Sequence, residues 1–167
     1  RLGVDIILIE TMTTIREAYA ACAAAKETGK EVIVSFTCKK DGTLYGGEQL
    51  VDAIKSISEL QPTMFSLNCI SPRYLTPLIH QLKSVPPKGG GISHKALNNL
   101  QSPIPFAIYG NIGKPDVREG TMVRDIDEEE YATFAREWKQ LGASIIGGCC
   151  GTTPRYIRLV AEGMSVA

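Results

Sequence analysis

Ala143-Ser-Ile-Ile-Gly-Gly-Cys149-Cys150-Gly151 is a short apolar run that ends in two adjacent thiols set among glycines. A run of this kind reads as a buried parallel strand whose last residues emerge at a loop. Met64-Phe-Ser-Leu-Asn-Cys69 has the same form and also ends in a cysteine. Helical patterns flank the first run. Tyr131, Phe134, Ala135, Trp138 and Leu141 make an apolar stripe before it, and Thr153-Pro154 opens a helix over 155–164 after it.

Further upstream the alternation continues. Val4-Asp-Ile-Ile-Leu-Ile9, Glu31-Val-Ile-Val-Ser-Phe-Thr37 and Phe106-Ala-Ile-Tyr109 read as strands. Thr14-Ile-Arg-Glu17 is a capping-box pattern at the head of an Ala-rich helix running through Lys26, with Gly29 as its stop. A second helix is predicted over 47–60 and a third from Ser71-Pro72 to about Val85. Between 86 and 105 glycine and proline indicate loop, with a short helix around 96–100. The stretch 110–126 has no apolar period and reads as a long loop of the kind that carries function.

Five βα units in succession require a parallel sheet with right-handed crossovers, either a doubly wound open sheet or part of an eight-stranded barrel. No Gly-x-Gly-x-x-Gly follows the first strand, so a dinucleotide site lacks support. Glu10, Thr37, Asn68, Cys69, Asn111, Cys149 and Cys150 all fall at carboxyl ends of strands. That shared placement favours the barrel, whose chemistry sits at this end.

The 167 residues suffice for one domain, read here as 1–167, and 44% hydrophobic with 22% charged residues is ordinary for a globular chain. Net charge is zero, which gives no recruitment of nucleic acid or of an anionic membrane, and no apolar run is long enough to span a bilayer. Five cysteines, two of them neighbours, fit a reducing compartment better than a disulfide framework, so a cytoplasmic location is expected. The chain opens at Arg1 without a methionine and enters a strand at once, which reads as the later part of something longer.

Three thiolates suit a soft cation, and three protein ligands leave one coordination place free, as in catalytic rather than structural zinc sites. Cys69, Cys149 and Cys150 are the candidate ligands, and Gly147, Gly148 and Gly151 give the backbone freedom to turn both neighbours toward one ion. Packed free thiols are the plainer alternative for any one of them. Cys38 also lies at a strand end, and Cys22 and Trp138 read as packing residues. His80 and His94 read as helix or surface residues, and Asp127 to Glu130 as a helix start. Tyr45-Gly-Gly47 reads as a turn, either lining the mouth of the site or, as is common for this composition, without function.

Gly147-Gly-Cys-Cys-Gly-Thr-Thr-Pro-Arg-Tyr-Ile-Arg158 resembles the signature of the homocysteine S-methyltransferases. Glu10-Thr-Met, Ser35-Phe-Thr37, Asn68-Cys69 and Tyr109-Gly-Asn111 are similar to further strand ends of that family, so the likeness covers essentially the whole chain. The resemblance implies a (β/α)8 TIM barrel of which this chain supplies about strands 4 to 8. It implies Zn2+ on Cys69, Cys149 and Cys150, with Glu10 and Asn111 as substrate-binding residues. The implied reaction moves a methyl group from a small-molecule donor to the thiol of homocysteine, giving methionine. A partial barrel exposes strand edges and a bare apolar face, which favours self-association or association with an amino-terminal portion. The alternative is a catalytically incomplete zinc- or partner-binding part of such a barrel.

Overall fold

The structure, a computed structural model, describes residues 3–85, 105–116 and 121–165. Strands β1 (Ile6–Met12), β2 (Glu31–Phe36), β3 (Met64–Asn68), β4 (Phe106–Gly110) and β7 (Ile145–Gly148) form one parallel sheet in that order, with β1 and β7 at its edges. Between β4 and β7 the chain makes a separate antiparallel pair, β5 (Gly113–Asp116) with β6 (Thr121–Arg124). The helices are α1 (Ile15–Lys26), α2 (Leu50–Ile57), α3 (Pro72–Lys83), α4 (Glu128–Gln140) and α5 (Pro154–Ser165). A 3-10 turn, Ser58–Leu60, extends α2.

The strand order never reverses. With right-handed crossovers, each step in the same direction puts its helix on the same face. Successive helices accordingly pack on one another, α1 on α2, α2 on α3, α3 on α4 and α4 on α5. A doubly wound sheet needs a reversal in its strand order, and the described strands contain none.

The helix-covered face carries the main core. Val32, Val34, Phe36, Phe65, Leu67, Phe106 and Ile108 point into it. They meet Ala18 and Cys22 of α1, Leu50, Ala53, Ile54 and Ile57 of α2, and Leu75, Leu78, Ile79 and Leu82 of α3. These helix positions recur at spacings of three and four, which is why the same segments form helices and bury one stripe. In α4, Tyr131 stands edge-on between Trp138 and Tyr156, with ring centroids 5.7 and 5.6 Å apart. Such pairs add about 0.5–1.5 kcal/mol each beyond the area they bury. Cys22 and Trp138 are thus core residues, as expected.

The other face is more mixed. Ile33, Met64 and Ala107 form a small central cluster. Ser35 and Ser66 sit beside one another in register. Toward the two edges Ile6, Leu8 and Ile145 are about half exposed.

Two helix starts follow their sequence signals. The Thr14 hydroxyl accepts from the Glu17 N–H at 3.1 Å, and the Asp127 carboxylate accepts from the Glu130 N–H at 2.8 Å. Ser71 occupies the N-cap position of α3, yet its hydroxyl makes no capping bond and is buried without a partner. Within the stretch 110–126, expected to be loop, the described residues include the antiparallel pair β5–β6, in register from Gly113↔Arg124 to Asp116↔Thr121. A Cβ at Gly113 would run into the Val123 carbonyl, so only glycine lets the two strands close there. The short helix expected around 96–100 and His94 lie outside the described residues. His80 lies on α3, on its exposed side.

Candidate metal centre

The last residues of β3 and β7 set the site. After Asn68 the chain turns through Cys69, which takes a left-handed φ of 55° although it is not glycine. That turn is held on both sides. The Cys69 N–H donates to the Tyr109 carbonyl (3.3 Å), and the Asn111 side-chain amide donates to the Cys69 carbonyl (3.3 Å). After Gly148, the Cys149 N–H donates to the Gly110 carbonyl at 2.8 Å. The Ile112 N–H then donates to the Cys150 carbonyl at 3.2 Å. Thr152 closes the turn, its N–H and hydroxyl both donating to the Cys149 carbonyl at 3.1 and 2.7 Å. Gly148 has no room for a side chain: a Cβ there would lie 2.5–2.8 Å from the Thr152 side chain.

These constraints bring Cys69, Cys149 and Cys150 together. Their sulfurs all lie within 4.8 Å of one another. Separations are 2.7 Å for Cys69–Cys149, 3.7 Å for Cys69–Cys150 and 3.8 Å for Cys149–Cys150. Tetrahedral coordination with metal–sulfur bonds of about 2.3 Å requires sulfurs about 3.8 Å apart. Two of the three edges already match, and the third needs to open by roughly 1 Å to admit an ion of that kind. Burial, and next the neighbouring Cys149 and then Cys150, push the Cys69 thiol well above the usual range. A cation beside the Cys69 sulfur would offset that penalty on its thiolate. The donor set, the spacing and the partial exposure of Cys150 therefore fit a soft metal ion.

Cys38 and Cys22 stand apart from this group, both buried. Burial, aided by the Asp41 charge, pushes the Cys38 thiol up to about 12. Burial also raises Cys22.

Glu10 lies on β1, exposed, where alternation places it on the same face as Ile6 and Leu8. It is followed by a β-bulge: Ile9 pairs with Val34 and Met12 with Phe36, so β1 holds one extra residue there. Asn111 braces the Cys69 turn as described, and its own Oδ1 is buried without a partner. Tyr109, one residue before Gly110, has a buried hydroxyl that no group bonds. Burial first, with the Glu10 charge adding to it, pushes that phenol up to about 12.

Sequence reading placed Asn68 at a strand end without giving it a role, and read Tyr131 as packing. Asn68 is fully buried and bonded to Thr11 and Ser35. The Tyr131 hydroxyl bonds the backbone at the ends of β4 and β7. The available signal for Asn68 was an amide closing an otherwise apolar strand. For Tyr131 there was none, because its place in the α4 stripe accounts for it as packing.

The family model for homocysteine S-methyltransferase matches residues 1–164. The chain belongs to the homocysteine S-methyltransferase family. Homocysteine S-methyltransferase 3 of Arabidopsis thaliana is 29% identical over 171 residues, covering 98% of this chain and 44% of that protein. Betaine-homocysteine S-methyltransferase of Drosophila melanogaster is 29% identical over 178 residues, covering 98% and 49%. The chain thus spans about half the length of the curated relatives it matches. Among solved structures, the apo form of the Escherichia coli homocysteine methyltransferase MmuM superposes with a TM-score of 0.72 at 21% identity, over 96% of this chain and 51% of that one. Its metallated form gives 0.71 at 22% identity, over 96% and 45%. These likenesses support the α/β parallel-sheet fold. Among the described residues no helix is long and apolar enough to cross a membrane.

Proposed function

We propose that the protein carries the zinc centre of a methyltransferase that transfers a methyl group to the thiol of homocysteine, giving methionine. One observation carries the reading: three cysteines from two strand ends, in a chain of this family, with their sulfurs within 4.8 Å. Cys69, Cys149 and Cys150 would hold Zn2+, leaving one position open. Bound there, zinc would supply a Lewis acid that lets an incoming thiol lose its proton near neutral pH.

The chain's own residues supply the rest. The three cysteine sulfurs bring net negative charge, which keeps the acceptor sulfur electron-rich. Glu10 holds the acceptor's ammonium by a charge-assisted contact. Asn111 fixes the Cys69 carbonyl, and its free Oδ1 is available to the bound amino acid. In the transfer, a sulfur lone pair forms the new S–CH3 bond as the bond from methyl to donor breaks. The electron pair of that bond leaves with the donor. The donor is a small molecule carrying an activated methyl group.

The fold is proposed as part of a (β/α)8 barrel, about strands 4 to 8, within one domain and in the cytoplasm. Support comes from the unreversed strand order and from Ile6, Leu8 and Ile145, half exposed on the face opposite the helices. The same exposure favours a second reading, in which this chain binds zinc or further polypeptide without turning substrate over.

Metal analysis of reduced, freshly purified protein tests the first reading. One zinc per chain, lost on replacing Cys69, Cys149 or Cys150 by serine, is the expected result, and metal-free protein overturns it. Methionine formation from homocysteine with each donor class then separates the two readings.

A further inference from the structure

We propose that Asn68 is a positioning residue that sets the span between the sulfur cluster and the Glu10 carboxylate, and so selects the acceptor amino acid by the length between its thiol and its ammonium group. The proposal rests on the reading above, in which the acceptor meets the cysteines at one end and Glu10 at the other.

Asn68 and Glu10 each adjoin a key position. Asn68 precedes Cys69, and Glu10 precedes Thr11. One side-chain amide joins the two neighbourhoods. The Thr11 N–H donates to Asn68 Oδ1 at 3.1 Å, and Asn68 Nδ2 donates to Thr11 Oγ1 at 2.8 Å. β2 lies between β1 and β3, so this contact reaches across a whole strand. Ser35, the β2 residue at the crossing, is small, and its hydroxyl donates to the same Oδ1 at 2.7 Å. Oδ1 thereby accepts two bonds and Nδ2 gives one, in a side chain with no exposed surface. An amide so fully engaged has one orientation.

What it holds is an irregular piece of backbone. The extra residue of the bulge falls at Glu10–Thr11, and Thr11 has a φ of 62°, a left-handed conformation that a β-branched residue keeps only under constraint. Bulges beside functional sites re-aim a side chain, and here that side chain is Glu10. Without the Asn68 bonds nothing in the β1–β2 ladder fixes that aim, because the ladder is interrupted between Ile9 and Met12. The span from Cys69 to Glu10 is therefore a rigid length. Homocysteine and cysteine differ by one methylene between thiol and ammonium, so a rigid span separates them and a loose one does not.

The test uses zinc-loaded protein, wild type and Asn68→Ala, with zinc content by metal analysis and the affinities for L-homocysteine and L-cysteine by calorimetric titration. Asn68→Ala is expected to keep its zinc. It should bind homocysteine about tenfold more weakly, with the preference over cysteine reduced by a similar factor. Asn68→Asp, whose carboxylate still accepts from the Thr11 N–H and the Ser35 hydroxyl, should keep most of the preference. An unchanged preference in Asn68→Ala, or loss of its zinc, overturns the proposal. If Asn68→Ala fails to fold, Thr11→Gly at the exposed bulge carries the test. It removes the Oγ1 acceptor and frees the backbone, and the same narrowing of preference is required. A wild-type protein that holds zinc yet binds neither amino acid defeats the functional reading and this proposal together. Wild-type binding with unaltered preference in the variants defeats the proposal alone.

Discussion

Replacing Tyr131 by phenylalanine removes one buried oxygen and leaves the ring stack in place. The residue has no exposed surface, and its edge-on contacts with Trp138 and Tyr156 involve the ring alone. Its hydroxyl donates to the Gly147 carbonyl at 2.8 Å and accepts from the Gly110 N–H at 3.0 Å. The substitution thus costs two hydrogen bonds, one from the buried Gly110 N–H and one to the part-buried Gly147 carbonyl. Each bond has a net worth of about 1 kcal/mol, and a stranded buried group adds to that, so the loss should come to about 2–3 kcal/mol. For a chain of this size that corresponds to a fall in Tm of roughly 5–10 °C. Urea denaturation of reduced, metal-free protein should show the midpoint falling with the slope unchanged. Because Gly147 and Gly110 lie at the strand ends beside the thiols, zinc affinity should fall in the same variant. A stability change below about 0.5 kcal/mol would refute the assignment of this hydroxyl as a tie between β4 and β7.

Two further outcomes are expected. Gly148→Ala places a methyl group against the Thr152 side chain, which its bonds to Cys149 prevent from moving freely. Overpacking of this kind costs about 1–3 kcal/mol, and competition with a metal-binding dye should also show weaker zinc binding. An unaltered affinity would mean that the turn relaxes without moving the sulfurs. Cys38 gives a pH signature. Its thiol lies near 12 when folded and near 9.0 when unfolded. The proton is held more tightly in the folded state, so this stabilisation is complete below about pH 9 and is lost as pH rises toward about 12. Between about pH 9 and 10.5, wild-type unfolding free energy should fall about 1–2 kcal/mol more than that of Cys38→Ala, and parallel curves would contradict the assignment.

Much of the fold could be read from the chain because its signals are local. Thr14 and Asp127 cap helices through bonds to residues three positions on, a relation that sequence spacing expresses directly. The strands β2 and β3 are mostly apolar, and buried at every position but Glu31, because each has a neighbour on either side and covered faces above and below. The places where reading failed depend on distant partners. The β5–β6 pair lacks an apolar alternation and closes instead on the fit of Gly113 against Val123. Ser71 has the chemistry of a cap, yet its hydroxyl makes no bond to the first-turn N–H groups. At the site, the cysteines and Glu10 stood out by residue type and strand-end position. The bulge after Glu10 did not, since an extra residue in one strand is defined only against its partner's register.

The strand order has a kinetic consequence. Each strand of the large sheet pairs with the one laid down before it, so the sheet can grow from the amino-terminal side as the chain emerges. The sulfurs are an exception to this locality, being 80 and 81 residues apart. Cys69 is in place as soon as β3 docks, whereas Cys149 and Cys150 arrive only with β7, the latest in sequence of the described strands of this sheet. Until then Cys69 stands as a solitary thiol, open to air oxidation or to exchange with a foreign disulfide. Metal uptake would mark the moment at which synthesis and folding have both run to the end of the sheet.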